Sequence, residues 1–231
     1  MTEAPLAAPT KGNEMLAASW RHPTRRMLCG VRAIAQGLLG MALIALAALV
    51  FLPSAYAAAP ITLEGQAFPG DAMVAGVPLQ INGVGLRSAL IYKVYLAGLY
   101  LPTKAATGAE ALAENGPKRV QVRMLMDGPS DEFAKAFSGG VAKRTPADQV
   151  AAMQDRIAAF DRTLRSVGDL KKGDVVNLDY APAVGLTMTV NGKPFGAPVP
   201  GADLYAALLN IFIGDRPVDA KMKAGMLGAA G

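Results

Sequence analysis

Residues 90–101 read LIYKVYLAGLYL, and this run of apolar and aromatic residues is the strongest strand signal in the chain. Successive side chains of a strand point to opposite faces, and here apolar side chains fall at both odd and even positions. Such a strand suits the centre of a sheet that is covered on both sides. Pro102 ends it, because proline has no N–H to donate to a sheet.

Weaker signals surround this strand. Short apolar or alternating runs bounded by Gly and Pro predict further strands at Ile61–Leu63, Val77–Ile81, Arg119–Met126, Val175–Tyr180 and Leu186–Val190. The last two form a hairpin around residues 182–185, and Asn191-Gly192 predicts a second tight turn.

Helical periodicity and end signals predict helices at Thr107–Asn115, from Ser130 or Asp131 to about Val141, from Thr145-Pro146 to Gly168, at Ala202–Ile213 and at Val218–Leu227. No repeat, low-complexity tract or linker divides this region. The sequence therefore predicts one domain that mixes strands and helices over residues 58–231.

The N-terminal segment, residues 1–57, has the layout of a secretory signal. Residues 37–52 form an uncharged apolar stretch, arginines precede it, and Ala55-Tyr56-Ala57 follows as a cleavage site with small residues at both ends. The stretch is short for the ~20 residues that span a bilayer core. We expect cleavage after Ala57, which leaves residues 58–231 as an exported, periplasmic domain.

Two alternatives stay open for this segment. If the stretch 37–52 is retained, it anchors the domain in the inner membrane, and we expect membrane contact only through this segment. The region before it is unusually long, so Met15 or Met27 is an alternative start to Met1.

Charge excludes one class of partner. The formal net charge is +5, but residues 1–57 hold five basic and two acidic residues, which leaves 18 basic and 16 acidic residues beyond them. A nearly balanced domain has no electrostatic case for binding nucleic acid.

The positions of histidine and cysteine exclude several kinds of chemistry. His22 and Cys29 are the only residues of their types, and both precede the apolar stretch. Residues 58–231 therefore cannot form a His-based triad, a Cys nucleophile, a disulfide or a His or Cys metal site. We expect no metal and no cofactor, since haem would find only Tyr or Met as ligands.

Two stretches in this order resemble the chalcone isomerase-like family, over roughly residues 60–228. The first joins Asn82–Arg87 to Lys93–Leu101, and the second includes Phe195-Gly196, Pro200–Asp203, Ile211–Gly214, Pro217-Val218 and Leu227-Gly228. The resemblance implies an α+β fold, an open-faced β-sandwich in which a layer of helices covers a curved antiparallel sheet. The family includes plant enzymes that cyclise chalcones, plant fatty-acid-binding relatives and exported bacterial members, and the chain looks like the last group.

The resemblance implies two ligand-binding residues in a cleft. Arg87 matches the family arginine that meets the negative charge of the ligand, and a guanidinium pairs well with a carboxylate. Tyr95 falls at the second polar position of the cleft, a threonine in the catalytic enzymes. The two lie eight residues apart, so one continuous strand would place them on one face. The ordinary alternatives are an arginine that is solvated or paired with Asp127 or Asp179, and a tyrosine packed in the core.

The chain departs from the catalytic branch at one helix. That branch carries a tyrosine on the helix that begins here near Asp131, whereas Phe133 and Phe137 occupy this helix and no tyrosine lies between Tyr100 and Tyr180. Whether the chain is an enzyme stays open, and no catalytic residue is assigned beyond Arg87 in the case of an isomerase.

Other side chains are weaker candidates for the cleft. Tyr205 lies near the family's specificity positions and is a third candidate ligand-binding residue. Four methionines are candidates for an adaptable apolar lining, although core packing is the commoner role of this residue: Met124, Met126, Met153 and Met188.

Three functions follow from these observations. The first is the binding of a small amphipathic carboxylic acid, similar to a fatty acid, with its carboxylate at Arg87 and Tyr95. The second is an isomerase of the chalcone isomerase type, in which Arg87 stabilises an oxyanion. The third is a structural or partner-binding domain without an open cleft.

Overall fold

The computed structural model describes residues 58–229 of the protein. The strands in this part are β1 Ile61–Leu63, β2 Gln66–Phe68, β3 Asp71–Val74, β4 Val77–Ala89, β5 Tyr92–Leu101, β6 Lys118–Met124, β7 Val175–Ala181, β8 Gly185–Val190 and β9 Lys193–Val199. The helices in the same part are α1 Gly108–Ala113, α2 Ser130–Arg144, α3 Ala147–Ala152, α4 Gln154–Arg165, α5 Ala202–Ile213 and α6 Ala220–Met226.

Strands β3 to β9 form one seven-stranded sheet in which each strand pairs with the next along the chain. All of these pairs are antiparallel, and β1 and β2 form a separate hairpin. The sheet is curled, and helices cover one of its faces. The α+β fold with a curved antiparallel sheet under a layer of helices, expected from the resemblance, is confirmed.

Strand β5 is apolar on both faces because each face meets a different core. Ala97, Leu99 and Leu101 belong to the large core between the sheet and the helices. Leu96 and Tyr100 belong to a smaller core under the β1–β2 hairpin. The prediction of a central strand covered on both sides is confirmed.

Strand β4 is longer than the sequence predicts. The prediction ends at Ile81, before two glycines, whereas the strand continues to Ala89. Glycine is needed here because helix α6 lies directly on β4. A Cβ atom on Gly83 or Gly85 would overlap backbone carbonyl oxygens of Gly225 or Met222 in that helix.

The turn after β4 takes the first two residues of the predicted central strand. Leu90 and Ile91 form the turn, and β5 begins at Tyr92. Leu90 has a φ of 55°, a left-handed conformation that ends an extended strand.

Two helix predictions need correction. The predicted helix from Thr145-Pro146 to Gly168 is two helices, α3 and α4, which part at Met153, where φ is -112° and ψ is 12°. Helix α2 is preceded by Pro129 at its cap position rather than capped by Ser130 or Asp131. Strands β2, β3 and β9 were not predicted from the sequence, because β2 and β3 have only three and four residues, and β9 is mostly exposed and contains Gly and Pro.

The predicted signal segment, residues 1–57, lies outside the described residues, so its cleavage stays a prediction. No helix within residues 58–229 is both long and apolar enough to cross a membrane.

Candidate functional site

An apolar cavity of ≈ 140 Å³ lies between the sheet and the helices. An engineered cavity of about this size, lined by aliphatic and aromatic side chains, stays dry and admits benzene. Most of the lining side chains are apolar and come from β6 to β8, α2, α4 and α5: Val122, Val176, Leu178, Met188, Phe133, Phe137, Phe160, Leu164, Leu208, Ile211 and Phe212.

Two polar side chains line this cavity, those of Tyr95 and Arg144. Several lining residues reach solvent: Phe133, Ala136, Arg144 and Val218, and also Tyr95 near the start of β5. An opening therefore lies between α2 and the segment that joins α5 to α6. The Arg144 guanidinium spans this opening, because its Nε donates to the Arg216 carbonyl at 2.5 Å and its Nη1 to the Gly140 carbonyl at 3.1 Å.

The structure brings Arg87 and Tyr95 together by a different route from the one predicted. The two residues do not share a strand. They lie opposite each other on the adjacent antiparallel strands β4 and β5, and directly opposed residues point to the same face. Tyr95 lines the cavity, while Arg87 stands behind it, outside the cavity lining.

Arg87 is paired with an acid, but not with either acid named from the sequence. Its Nη1 lies 3.5 Å from Oδ2 of Asp219, and a quarter of the side chain is exposed. Arg87 also donates to the Ser88 carbonyl. Asp179 is instead held by Arg119, through two hydrogen bonds of 2.6 Å. Compared with that bidentate pair, the contact of Arg87 with Asp219 is long.

Asp219 is fixed in place because it caps helix α6. Its Oδ1 accepts from the backbone N–H of Lys221 at 2.9 Å and of Met222 at 3.1 Å, and its Oδ2 accepts from the N–H of Ser88 at 3.3 Å. Burial raises the pKa of this carboxyl, but these hydrogen bonds and the charge of Arg87 outweigh it and hold the pKa below its usual value. The carboxylate is therefore charged near neutral pH, and it joins the C-terminal end of β4 to the N-terminal end of α6.

Tyr95 keeps its proton well above neutral pH. Burial raises the pKa of its hydroxyl to about 12, Arg87 acts in the opposite direction, and Asp219 adds a smaller increase. A protonated phenol donates a hydrogen bond. The site therefore offers one donor inside an apolar cavity and one cation behind it.

The raised pKa of Tyr95 predicts a loss of stability in alkali. Burial also raises the pKa of Tyr100 to about 12. A group with a folded-state pKa above its unfolded value, about 10, stabilises the fold below pH 10, and this contribution is lost as the pH rises towards 12. We expect the denaturation midpoint of the 58–231 chain to fall between pH 10 and 12.

Urea unfolding at several pH values, with tyrosinate absorbance followed in parallel, measures this loss. Tyr95→Phe should remove part of the pH dependence, because phenylalanine has no proton to lose. A midpoint that stays constant from pH 10 to 12 would contradict the prediction.

Tyr205, the third candidate from the sequence, lies away from the cavity. Its side chain is buried, its hydroxyl donates to the Leu178 carbonyl at 3.2 Å, and its ring stacks on Tyr180 with centroids 5.1 Å apart. It lines a separate pocket near Lys118. The structure thus brings Arg87 and Tyr95 together and does not bring Tyr205 to them.

The other candidates divide between the cavity and the core. Met188 lines the cavity, Met124 and Met153 are buried elsewhere in the core, and Met126 is exposed. Phe133 and Phe137, which occupy the helix where the catalytic branch of the resembling family has a tyrosine, both line the cavity. That wall of the cavity therefore offers no hydroxyl group.

Two residues of the site were missed in the sequence. Asp219 follows Pro217-Val218 and precedes a helix, a capping pattern that sequence reasoning can detect. Arg144 carries no such signal, because its position at the opening depends on how α2 packs against the α5–α6 segment. Within residues 58–229, no group of three or more His, Cys, Asp or Glu residues is placed to hold a metal ion.

Comparisons with known proteins agree with this architecture. The crystal structure of a fatty-acid binding protein from Arabidopsis thaliana is similar, with a TM-score of 0.57 and 15% sequence identity, over 73% of this chain and 96% of that one. At this identity the likeness shows the fold alone. No curated protein sequence matches the chain. A family model described as chalcone isomerase-like matches residues 60–228, most of the chain, and the chain therefore belongs to the chalcone isomerase-like family.

Proposed function

We propose that this protein binds a small amphipathic carboxylic acid, similar to a fatty acid, as an exported carrier in the periplasm. The apolar part of the acid occupies the cavity, and its carboxylate is bound by the Tyr95 hydroxyl with Arg87 behind it. One observation carries the proposal. The cavity is lined by apolar side chains except at its opening, where Arg144 lies, and at Tyr95, whose protonated hydroxyl lies opposite the cation Arg87 of the adjacent strand.

The contacts of Arg87 support this role. Its contacts with Asp219, at 3.5 Å, and with the Ser88 carbonyl both use Nη1, which leaves the other guanidinium nitrogens for an anion. Arg119, in contrast, commits two nitrogens to Asp179. A guanidinium is always charged and can bind a carboxylate through two parallel hydrogen bonds. The similar Arabidopsis protein is described as a fatty-acid binding protein, which agrees with an acid as ligand.

The size of the cavity limits the part of the ligand that it encloses. A volume of ≈ 140 Å³ suits a ring or a short run of methylene groups. A longer chain extends through the opening beside Arg144, or the flexible side chain of Met188 moves to admit it. We therefore expect acids of medium length to bind better than either short or very long ones.

Export to the periplasm rests on residues 1–57 alone. Their charged, apolar and small-residue regions follow the order of a signal segment, and retention of the stretch 37–52 would instead leave the domain anchored on the inner membrane. Cell fractionation with an antibody to the domain distinguishes the two forms by their size and solubility.

Binding is tested by calorimetry of the 58–231 chain with straight-chain acids from hexanoate to palmitate, and with dodecanol as an uncharged comparison. A hydrogen bond to a charged group is worth about 1.5–3 kcal/mol, or about a 10- to 100-fold change in affinity. We expect Arg87→Gln and Tyr95→Phe to weaken dodecanoate by at least about tenfold each and to leave dodecanol little changed.

The exposed Arg162 provides a matched control, since Arg162→Gln removes a cation that does not line the cavity and should have no effect. Val176→Phe adds four carbon atoms to the cavity wall and should abolish binding of both acid and alcohol while the fold is kept. A larger loss in Arg144→Gln than in Arg87→Gln would contradict the assignment of the carboxylate to Arg87.

The other two functions are outcomes of the same experiment. Turnover of a chalcone that Arg87→Gln abolishes would replace the carrier by an isomerase. An unmodified protein that binds no acid and turns over no chalcone would overturn both and favour a partner-binding domain.

A further inference from the structure

The turn between β4 and β5 exposes three consecutive large apolar side chains. Leu90 is 98% exposed, Ile91 87% and Tyr92 58%. Six large apolar side chains are exposed in the described part of the chain. Four of them lie at this end of the sheet: the three of the turn and Met126. Met126 follows Leu125, whose N–H donates to the Val94 carbonyl at 3.0 Å. Exposed apolar surface is thus concentrated at this end, around the turn.

Packing does not explain these side chains. The turn projects beyond the paired ends of β4 and β5, at Ala89 and Tyr92. Leu90 also holds a φ of 55°, a conformation that glycine or asparagine adopts at lower cost. A leucine that is both strained and almost fully exposed gains nothing from the folded domain, and this is the pattern of a residue kept for contact with something outside it.

The order of side chains around the turn indicates the kind of surface that it contacts. Residues 87–93 read RSALIYK, and both cations of this stretch are paired with an acid: Arg87 lies 3.5 Å from Asp219, and the Nζ of Lys93 lies 2.6 Å from Glu64. The Lys93 side chain is 56% exposed, and an exposed ion pair contributes little to stability, so Lys93 can exchange Glu64 for a phosphate group. Leucine and isoleucine prefer hydrocarbon, tyrosine prefers the boundary between hydrocarbon and water, and the lysine stem reaches back towards phosphate groups. This order of side chains matches the layers of a bilayer surface with anionic headgroups.

The size of the patch argues against a protein partner. Leu90, Ile91 and Tyr92 together expose roughly 400 Å² of side-chain surface on a narrow turn. A stable protein interface buries about 800 Å² on each partner. Insertion into a bilayer needs no complementary surface, and a few apolar side chains give weak, reversible attachment.

We propose that the β4–β5 turn, together with the strand ends beside it (residues 88–93), docks the domain on an anionic phospholipid bilayer. Arg87 and Tyr95 lie only a few residues from Leu90 along the two strands, or roughly 10–15 Å at the rise of a strand. Docking therefore places the polar end of the cavity next to the headgroups. Its purpose, exchange of an acid with the membrane, rests on the proposed function. Docking would be a second membrane contact, whereas the sequence predicts contact only through the N-terminal segment.

Vesicle binding tests the docking without any acid present. The described residues, 58–229, belong to one compact unit, so the 58–231 chain is used and the apolar stretch 37–52 does not contribute. Sedimentation with vesicles of phosphatidylcholine and phosphatidylglycerol should capture this chain. The double variant Leu90→Ser with Ile91→Ser should reduce its partition coefficient by at least about tenfold.

Val184 provides the matched control. It is 44% exposed in the turn between β7 and β8, at the opposite end of the sheet, and Val184→Ser should leave vesicle binding unchanged. The only tryptophan of the chain is Trp20, so the 58–231 chain has none. Ile91→Trp should therefore report insertion by a blue shift of its emission on vesicles, and Val184→Trp should show no shift.

Equal partition of the unmodified chain and the double variant, or an unshifted Ile91→Trp emission, would overturn the docking proposal. Self-association through the same turn would also overturn it, and would show as a dimer in sedimentation velocity that the double variant abolishes. Acid binding in solution is measured without vesicles. The proposed function can therefore fail while docking stands, and docking can fail while the proposed function stands.

Discussion

Gly85→Ala is expected to lower the free energy of unfolding of the 58–231 chain by at least about 3 kcal/mol. The added Cβ would overlap the backbone of Met222, so helix α6 would have to move away from β4. Moving α6 also separates Asp219 from Ser88 and Arg87, since these contacts join the start of the helix to the strand. Urea unfolding of the variant beside the unmodified chain measures the loss.

Gly139→Ala is the matched control for this substitution. Gly139 lies in helix α2, and a Cβ placed there would meet no atom within 4 Å. Alanine is favoured over glycine in a helix by up to about 1 kcal/mol, so this variant should be as stable as the unmodified chain or more stable. A loss of less than about 1 kcal/mol in Gly85→Ala would show that the sheet and α6 separate at little cost, and would contradict the close packing.

The fold was accessible from the sequence where local pattern and burial agree. Residues 90–101 predicted a strand covered on two faces, and the two cores on either side of β5 confirm it. Asn191-Gly192 predicted a tight turn, and both residues have the positive φ values, 51° and 80°, that this kind of turn needs. Helix α5 was predicted with its observed bounds, Ala202–Ile213, because an apolar run lies between two glycines.

The errors arise where tertiary packing overrides the local signal. Glycine ordinarily weakens a strand, so Gly83 and Gly85 ended the predicted strand early. In the folded protein they are what allows α6 to lie on β4. The split at Met153 is a second case, since an unbroken apolar period predicted one helix whereas the chain bends where this side chain enters the core.

The candidate site could likewise be predicted from the sequence only in part. Arg87 and Tyr95 were identified through the resemblance, and their common face was expected from an even spacing along one strand. They share a face because an antiparallel turn lies between them. The pairing of Arg87 with Asp219 joins residues 132 positions apart in sequence, and nothing in the local pattern of either residue indicates the other. The cavity depends on side chains from four strands and three helices, so its size could not be predicted from the sequence.

The second large effect is expected at the wall of the cavity, where Phe160→Ala should lower the free energy of unfolding by about 3–5 kcal/mol. Phe160 is 2% exposed, and its ring packs edge-to-face on Phe137, with centroids 5.0 Å apart and an angle of 76° between the planes. The loss combines the transfer of a phenyl group to water, the empty volume left behind and the aromatic contact. Urea unfolding measures this loss, with the half-buried Phe133→Ala as control, for which we expect a smaller one.

Phe160→Ala also tests whether the wall of the cavity stays in place when a side chain is removed from it. Because the lost ring adjoins the existing cavity, the space should enlarge, and the variant should bind benzene or a longer acid more tightly than the unmodified chain does. If instead the helices collapse into the space, the loss of stability falls below that of Phe133→Ala and no ligand gains affinity, which would contradict a rigid wall. The unmodified protein would then select its ligand through movement of α4 and α5 rather than through a preformed volume, because the cost of removing a buried ring depends on how far its neighbours relax.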